Sequence, residues 1–245
     1  MSVVTTEERG PVSLITINRP EKRNAINQAV AVELQRAFAE FDRSAQRVAV
    51  LTGAGGQAFS AGADVTDLPE LWRCVPTVGI ATEKPIVAAV AGWCIGGGLV
   101  MAMMCDLLVA AESAKFSYPE GKIGITGGMI AGLAARIPHK IAMELMLLGE
   151  PIDARRAYEA GLANRVVPDG SEIAEAVALA GKIVDLAPLA LAAMKRFVTG
   201  HILPRGPSEI AGQAAAQLGA VRNSEDAAEG IRAFREKRKP RYRGR

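Results

Sequence analysis

The first half of the chain contains several short apolar stretches, and one longer stretch with helical periodicity lies between the first two of them. The strand-like stretches cover residues 12–18, 47–52, 85–90, 106–111 and 115–118. Between the first two, residues 29–42 place Val30, Leu34, Phe38 and Phe41 on one side of a helix. Strands separated by helical segments predict an α/β layered core.

From residue 124 onward, the apolar positions recur mainly with helical spacing. The helices predicted from this spacing cover residues 140–148, 152–161, 171–186, 188–199, 207–221 and 224–237. A short strand is expected at residues 164–168, and residues 64–78 predict a short, irregular helical segment. Residues 127–138 are compatible with a loop or a helix. The second part of the chain is therefore expected to be a helical lobe.

Composition and charge narrow the class of protein. The 245 residues are 49% hydrophobic, yet no apolar run approaches the roughly 20 residues of a membrane span, and the N-terminus lacks the apolar core of a signal peptide. We therefore expect a cytoplasmic protein without a membrane partner. Cys74, Cys94 and Cys105 lack metal-ligand spacing, so we expect buried thiols and no metal site.

The basic residues are concentrated at the end of the chain. The net charge is +3, and much of the excess lies in residues 232–245. This cluster is too local and too poor in aromatic residues to indicate a nucleic-acid partner, but it would suit a ligand that carries several phosphates.

Three consecutive glycines, Gly96, Gly97 and Gly98, join the strand-like residues 85–90 to a helical pattern over residues 99–105. Glycine allows a positive φ and a close approach of backbone to a ligand. A helix start adds unpaired N–H groups and the positive end of the helix dipole. The turn is therefore a candidate site for an anion or a developing oxyanion.

Other polar residues allow a functional and an ordinary interpretation. Glu120 could move protons, although most glutamates are simply solvated. Residues 53–64 form a Gly-rich loop that is either a weak dinucleotide fingerprint or plain surface. Tyr118 and Lys122 have the Tyr-x-x-x-Lys spacing of short-chain dehydrogenases, but Pro119 and Gly121 argue against a regular helix there. His139 and His201 lack a partner for catalysis.

In combination, these segments resemble the crotonase superfamily, the enoyl-CoA hydratase/isomerase family. The resemblance covers nearly the whole chain. The matching motifs are Ile17-Asn-Arg-Pro-Glu-Lys-Arg-Asn-Ala25, Phe59-Ser-Ala-Gly-Ala-Asp64, Pro85-Ile-Val-Ala-Ala-Val-Ala-Gly92, Gly96-Gly-Gly98, Met103-Met-Cys-Asp106, Phe116-x-x-Pro-Glu120, Glu150-Pro-Ile-Asp-Ala-Arg-Arg-Ala157, Gly161-Leu-Ala-Asn-Arg-Val-Val167 and Glu229-Gly-Ile-Arg-Ala-Phe-Arg-Glu-Lys-Arg-Lys-Pro240.

The resemblance implies a spiral of ββα units over residues 1–190, which holds an acyl-CoA site, and a helical trimerisation lobe over residues 191–245. It implies a homotrimer or a hexamer built from two trimers. It also implies a coenzyme A thioester substrate without a separate cofactor. The backbone N–H groups of Ala63 and Gly97 are expected to hold the thioester oxygen, with Glu120 as the proton shuttle.

The resemblance further implies where the substrate binds. Its coenzyme A end is expected near the 22–25 turn and the 61–63 backbone, with the tail of a neighbouring subunit nearby. The implied substrate-binding positions are Lys22, Arg23, Ala25, Ala61, Ala63, Asp64, Gly96, Gly97, Val100, Tyr118, Phe234 and Lys237. Lys22, Arg23 and Lys237 could equally be ordinary solvated charges.

One departure from the family pattern bears on the reaction. Family hydratases carry two glutamates, and the first of these positions is Val100 in this chain. Losing one general acid or base costs about 10²–10⁴-fold in rate. We therefore slightly favour isomerisation of a 3-enoyl-CoA to a 2-enoyl-CoA, in which Glu120 alone moves a proton from C2 to C4. Tyr118, where hydratases commonly have Gln, could donate a hydrogen bond to substrate or simply pack.

The sequence leaves other reactions open. Hydration of a 2-enoyl-CoA, decarboxylation, dehydration and thioester hydrolysis all occur in the superfamily that the chain resembles. A non-catalytic acyl-CoA-binding paralogue is a further alternative, because Val100 already removes half of the hydratase acid/base pair. Acyl chain length and pathway are not determined by these residues.

Overall fold

A computed structural model describes residues 2–245. Its strands, in chain order, are β1 (Val4–Arg9), β2 (Val12–Ile17), β3 (Val48–Gly53), β4 (Ala58–Ser60), β5 (Ile86–Val90), β6 (Trp93–Ile95), β7 (Leu107–Ala111), β8 (Lys115–Ser117), β9 (Ile152–Asp153) and β10 (Arg165–Val167).

The helices are α1 (Gln28–Arg43), α2 (Gly97–Met104), α3 (Glu120–Ile123), α4 (His139–Leu148), α5 (Ala154–Glu159), α6 (Glu172–Val184), α7 (Pro188–Phe197), α8 (Pro207–Arg222) and α9 (Glu225–Arg235). Short 3₁₀ segments occur at Pro20–Lys22, Leu71–Cys74 and Met129–Ala135, and a π turn at Val198–Ile202 follows α7.

The strands form two sheets, and from β3 to β8 successive strands alternate between the two. The larger sheet has the order β1-β2-β3-β5-β7-β10, and the smaller has the order β4-β6-β8-β9. All neighbours are parallel except the β1–β2 hairpin and the β8–β9 pair. Each of β3, β5 and β7 passes directly to a strand of the smaller sheet, and helices follow β6 and β8. This is the expected spiral of ββα units, so the predicted α/β fold class is confirmed.

Both faces of the larger sheet are covered, because its parallel strands are apolar on both sides. Ile15, Leu51 and Ala88 face the main core with α1 and α2. Their neighbours in the same strands, such as Leu14 and Val50, face the opposite side, where α6 packs. The period-2 alternation of a strand thus assigns each apolar residue to one of two cores.

The helical segments after residue 186 lie at the end of the chain, as predicted. The proposed division at residue 190 falls inside α7 and stays a prediction. Within residues 2–245, no individual helix combines the length and apolar character that a membrane crossing requires. The segments Glu172–Val184 and Pro188–Ile202 meet that requirement only as a pair, with a bend of 106° between them.

The structure corrects several local predictions. Strands β1, β4 and β6 were not anticipated; β4 lies within the predicted Gly-rich loop, and β6 separates β5 from the glycine turn. Residues 152 and 153 form β9 and do not begin the helix predicted there, because they pair with β8. Glu120 opens a one-turn helix, although a regular helix was judged unfavourable around Pro119 and Gly121.

Candidate active site

The turn between β6 and α2 is closely packed at three consecutive glycines, and it favours glycine most strongly at Gly96 and Gly98. Gly96 has a φ of +52°, which favours glycine. A Cβ atom added to Gly97 would lie 2.9 Å from Leu71 Cδ1. A Cβ atom on Gly98 would lie 2.8 Å from both Cβ and the carbonyl oxygen of Ser60 in β4. The start of α2 is therefore packed tightly between β4 and the side chain of Leu71.

A second backbone segment lies beside this turn. Gly62 has a φ of +90°, and a Cβ atom there would lie 3.4 Å from the Gly97 nitrogen. Ile26 bridges this segment: its N–H donates to the Gly62 carbonyl at 2.8 Å, and its own carbonyl accepts from the Asp64 N–H at 2.8 Å. This parallel bridge leaves the Ala63 N–H unused. Within residues 2–245, neither Ala63 nor Gly97 donates its amide hydrogen to a protein acceptor.

The third component is the carboxylate of Glu120. The Gly96 N–H donates to the Ser117 carbonyl at 3.0 Å, which brings the end of β8 beside the glycine turn. A Cβ atom on Gly96 would lie 3.2 Å from Glu120 Oε1. The absence of a side chain at Gly96 therefore allows the half-buried carboxylate to lie directly against the turn. The structure brings together Ala63, Gly97 and Glu120, whose catalytic roles stay a prediction.

Tyr118 contacts Glu120 directly. Its hydroxyl donates to Glu120 Oε2 and lies 2.9 Å from Thr126 Oγ1. Tyr118 is 4% exposed, and burial together with the hydrogen bond to the Glu120 carboxylate raises the pKa of the phenol. From the sequence, Tyr118 could either donate a hydrogen bond to substrate or simply pack. Thr126 was not predicted as a site residue, because its only sequence signal is a polar residue before two glycines.

Near the glycine turn, the Asp64 carboxylate is already hydrogen-bonded, and the position of the first family glutamate is the apolar Val100. Asp64 accepts from Thr66 Oγ1 at 2.6 Å and from Arg19 at 3.2 Å, and these hydrogen bonds, those of Thr66 above all, lower the pKa of its carboxyl group. Val100 is 2% exposed in the first turn of α2. Within residues 2–245, Glu120 takes part in no ion pair. In that part of the chain its side-chain partner is therefore the Tyr118 hydroxyl and no cation.

The predicted coenzyme A positions divide into two groups. Ala61 donates its N–H to the Arg23 carbonyl at 2.9 Å, so the 22–25 turn does lie beside the 61–63 backbone. Lys22 and Arg23 are exposed there. Phe234 is 86% exposed at the end of α9, so its ring is not packed against the glycine turn of its own chain.

The cysteine thiols lie in the core. Cys74 and Cys94 are fully buried, whereas Cys105 is partly exposed as a whole residue. Burial raises the pKa of Cys74 to about 12 and also raises that of Cys94 and Cys105. These thiols are therefore protonated at neutral pH and poor nucleophiles. In the part of the chain that the structure describes, no group of three His, Cys, Asp or Glu residues could hold a metal ion.

Comparisons with known proteins agree with this architecture. The family model for enoyl-CoA hydratase/isomerase matches residues 7–245. The carnitinyl-CoA dehydratase of Citrobacter koseri is 36% identical over 96% of both chains. The (E)-benzylidenesuccinyl-CoA hydratase of Thauera aromatica is 34% identical over 98% of this chain and 99% of its own length.

A solved structure extends the agreement to three dimensions. The crystal structure of carnitinyl-CoA hydratase from Mycobacterium avium superposes with a TM-score of 0.79 at 38% identity, and all of both chains is covered. The protein belongs to the enoyl-CoA hydratase/isomerase family, that is, to the crotonase superfamily. It is an enzyme of this family, and an acyl-CoA substrate fits that membership.

Proposed function

We propose that the protein binds an acyl-CoA thioester with its carbonyl oxygen between the Ala63 and Gly97 amides, and that Glu120 moves the proton. The observation that carries this proposal is the pair of unused backbone donors on adjacent segments, with a carboxylate against the same turn. The names of the relatives, which refer to coenzyme A thioesters, support the substrate class.

The proposed electrostatics follow from the backbone. Removal of a proton from C2 of a thioester places negative charge on the carbonyl oxygen. Two preorganised N–H donors stabilise that charge, and each such donor is worth about 10²–10³-fold in rate. The N-terminus of α2 adds the positive end of its dipole at Gly97.

The preferred reaction is isomerisation of a 3-enoyl-CoA to a 2-enoyl-CoA. Glu120 would take a proton from C2, the double bond would move from C3–C4 to C2–C3, and the proton would return at C4. This sequence needs one carboxylate and no water. Val100 is apolar and Asp64 is already paired with Arg19 and Thr66, which supports a mechanism based on one carboxylate.

A second candidate is reversible dehydration of a 3-hydroxyacyl-CoA. Glu120 would take the C2 proton and deliver it to the C3 hydroxyl oxygen as the C3–O bond breaks, so that the products are a 2-enoyl-CoA and water and Glu120 is ionised again. The names of two similar proteins, a dehydratase and a hydratase, favour this candidate. The site is the same in both reactions, and the leaving group distinguishes them.

The proposed assembly and location also rest on family membership. We propose a homotrimer or a hexamer, in which Phe234 and Lys237 of one subunit reach the coenzyme A end of a neighbour. The reaction draws on no separate cofactor, since coenzyme A is part of the substrate. A cytoplasmic location is supported by three free thiols, because disulfides are rare in reducing compartments.

The Glu120→Gln variant tests the proposal. Wild-type protein is supplied separately with a 3-enoyl-CoA and a 3-hydroxyacyl-CoA, and the absorbance of the conjugated thioester is followed. Turnover of one substrate is expected, with a loss of about 10²–10⁴-fold in Glu120→Gln because the glutamine cannot accept the proton. Glu112→Gln, an exposed change after β7, is the matched control and is expected to keep full activity.

The outcomes separate the alternatives. Full turnover in Glu120→Gln would show that the proton shuttle lies elsewhere. Tight acyl-CoA binding without turnover and without exchange of the C2 proton would identify a binding protein that lacks catalysis. Decarboxylation or thioester hydrolysis would be recognised by carbon dioxide or free thiol as product.

A further inference from the structure

We propose that Tyr118 and Thr126 position Glu120, so that Oε2 is held and Oε1 is left as the oxygen that carries the proton. This inference rests on the proposed function of Glu120. It assigns Tyr118 to the carboxylate and not to the substrate, and it adds Thr126 as a positioning residue.

The direction of each hydrogen bond follows from the donors that are present. An ionised carboxylate only accepts, so the Tyr118 hydroxyl donates to Glu120 Oε2. That bond uses the one proton of the phenol. The contact of 2.9 Å between Tyr118 and Thr126 must then be donated by the Thr126 hydroxyl. Thr126 Oγ1 in turn accepts from the Gly128 N–H at 3.1 Å.

The result is a one-way chain of donors from the Gly128 amide through Thr126 and Tyr118 to Glu120. Each hydroxyl donates once and accepts once, so no member is left without a partner. The chain stays intact at neutral pH because burial and the adjacent carboxylate keep the phenol protonated.

Glu120 depends on this support because its own helix gives little. α3 is a single turn that ends at Ile123, and no other side chain of residues 2–245 donates to the Glu120 carboxylate. A free glutamate side chain populates several rotamers, and a catalytic group must be held within about 0.5 Å of its working position. Tyr118 holds Oε2, whereas Oε1 lies against Gly96 in the glycine turn.

Three variants test the inference by kinetics: Tyr118→Phe, Thr126→Val and Thr126→Ser. They are measured on the acyl-CoA that the wild type turns over. Tyr118→Phe is expected to lower kcat about 10- to 100-fold, the size of a lost hydrogen bond to a charged group, with little change in KM. The kcat of Thr126→Val is expected to fall as well. The kcat of Thr126→Ser is expected to stay near the wild-type value because serine keeps the hydroxyl group.

The division of the effect between kcat and KM separates positioning of Glu120 from binding of substrate. Without the phenol, Glu120 loses its side-chain donor among residues 2–245, so kcat is expected to fall while KM stays nearly constant. Tyr158→Phe, at a half-exposed tyrosine in α5, is the matched control and should leave both kcat and KM unchanged. Circular dichroism of each variant checks that the fold is retained.

Two results would overturn the inference. A rise in KM with unchanged kcat in Tyr118→Phe would show that the phenol binds substrate. Equal kinetics in Thr126→Val and Thr126→Ser would remove Thr126 from the positioning chain. Because Thr126 is exposed, this second pair is informative even where Tyr118→Phe fails to fold.

Failure of the proposed function would be seen separately, as a wild type that turns over no acyl-CoA. In that case the carboxyl carbon of Glu120 is followed by NMR without substrate, and is assigned by its loss in Glu120→Gln. At a fixed neutral pH its chemical shift is expected to change in Tyr118→Phe because the hydrogen bond to Oε2 is lost, and an unchanged chemical shift would overturn the inference on its own.

Discussion

At the scale of single residues, the site is defined as much by missing side chains as by present ones. Gly96 makes room for Glu120 Oε1, and Gly98 makes room for β4. Gly62 takes a left-handed φ that places Ala63 beside α2. These glycines allow backbone donors and a carboxylate to converge in a space that a Cβ atom would fill.

Gly98→Ala is expected to destabilise the protein by about 1–3 kcal/mol, the usual cost of overpacking. The added Cβ would lie 2.8 Å from the Ser60 carbonyl oxygen, and backbone cannot move aside cheaply. Gly181→Ala in α6 is the matched control, since no atom lies within 4 Å of its Cβ position. It is expected to stabilise by about 0.5–1 kcal/mol through helix propensity. Denaturant unfolding of both variants measures the difference, and equal stabilities would contradict the packing argument.

At the scale of elements, the junction of α7 with the larger sheet depends on one lysine. Lys195 donates to Asp106 Oδ2 at 2.7 Å and to the Lys84 carbonyl at 2.8 Å. Asp106 also accepts from the Ile86 N–H at 2.7 Å, so a single carboxylate joins α7 to the start of β5. The Lys195 side chain is only 10% exposed, which limits the screening of this ion pair by water.

Lys195→Met is expected to lower the free energy of unfolding by about 1.5–3 kcal/mol, because hydrogen bonds that involve a charged group are lost from a mostly buried position. Arg196→Met, one residue later, removes an exposed ion pair with Glu83 and is expected to cost less than about 1 kcal/mol. Chemical denaturation compares the two variants. A larger loss in Arg196→Met would show that burial does not govern these pairs.

At the scale of the whole molecule, the terminal helices leave large apolar side chains in contact with water. Leu189 is 84% exposed, Ile202 72% and Phe234 86%. Further exposed apolar residues in the helical segments after residue 186 are Phe197, Ile210, Leu218, Val221 and Ile231. Apolar surface on this scale is typical of a protein interface and supports the proposed trimer or hexamer.

Light scattering should therefore give a solution mass of three or six times the 25.8 kDa of one chain. Phe234→Asp is expected to weaken the assembly or the affinity for coenzyme A, because the ring would leave its place at a neighbouring subunit. A wild-type mass equal to one chain would contradict the proposed assembly. An unchanged mass and affinity in Phe234→Asp would exclude this ring from the interface.

Much of the fold could be predicted from the sequence because its longer elements carry their own periodicity. Helix α1 and the parallel strands β2, β3, β5 and β7 were placed nearly at their observed ends. The three-residue strands β4 and β6 were missed because glycines flank both of them, which favours a loop over a strand at the level of sequence. These two strands form because the spiral places β4 beside β6 and β6 beside β8, so that their backbones pair in the smaller sheet.

The sequence by itself determined the family, the α/β fold class and the identity of Ala63, Gly97 and Glu120 as candidates, because those properties depend on motifs and short-range patterns. Only the tertiary structure decided that the Ala63 and Gly97 amides are unused, that Glu120 Oε1 faces Gly96, and that Tyr118 donates to Oε2. The first two properties depend on distances between segments that are far apart in the chain, and the third depends on the side-chain conformations of neighbouring residues, so no local pattern encodes them.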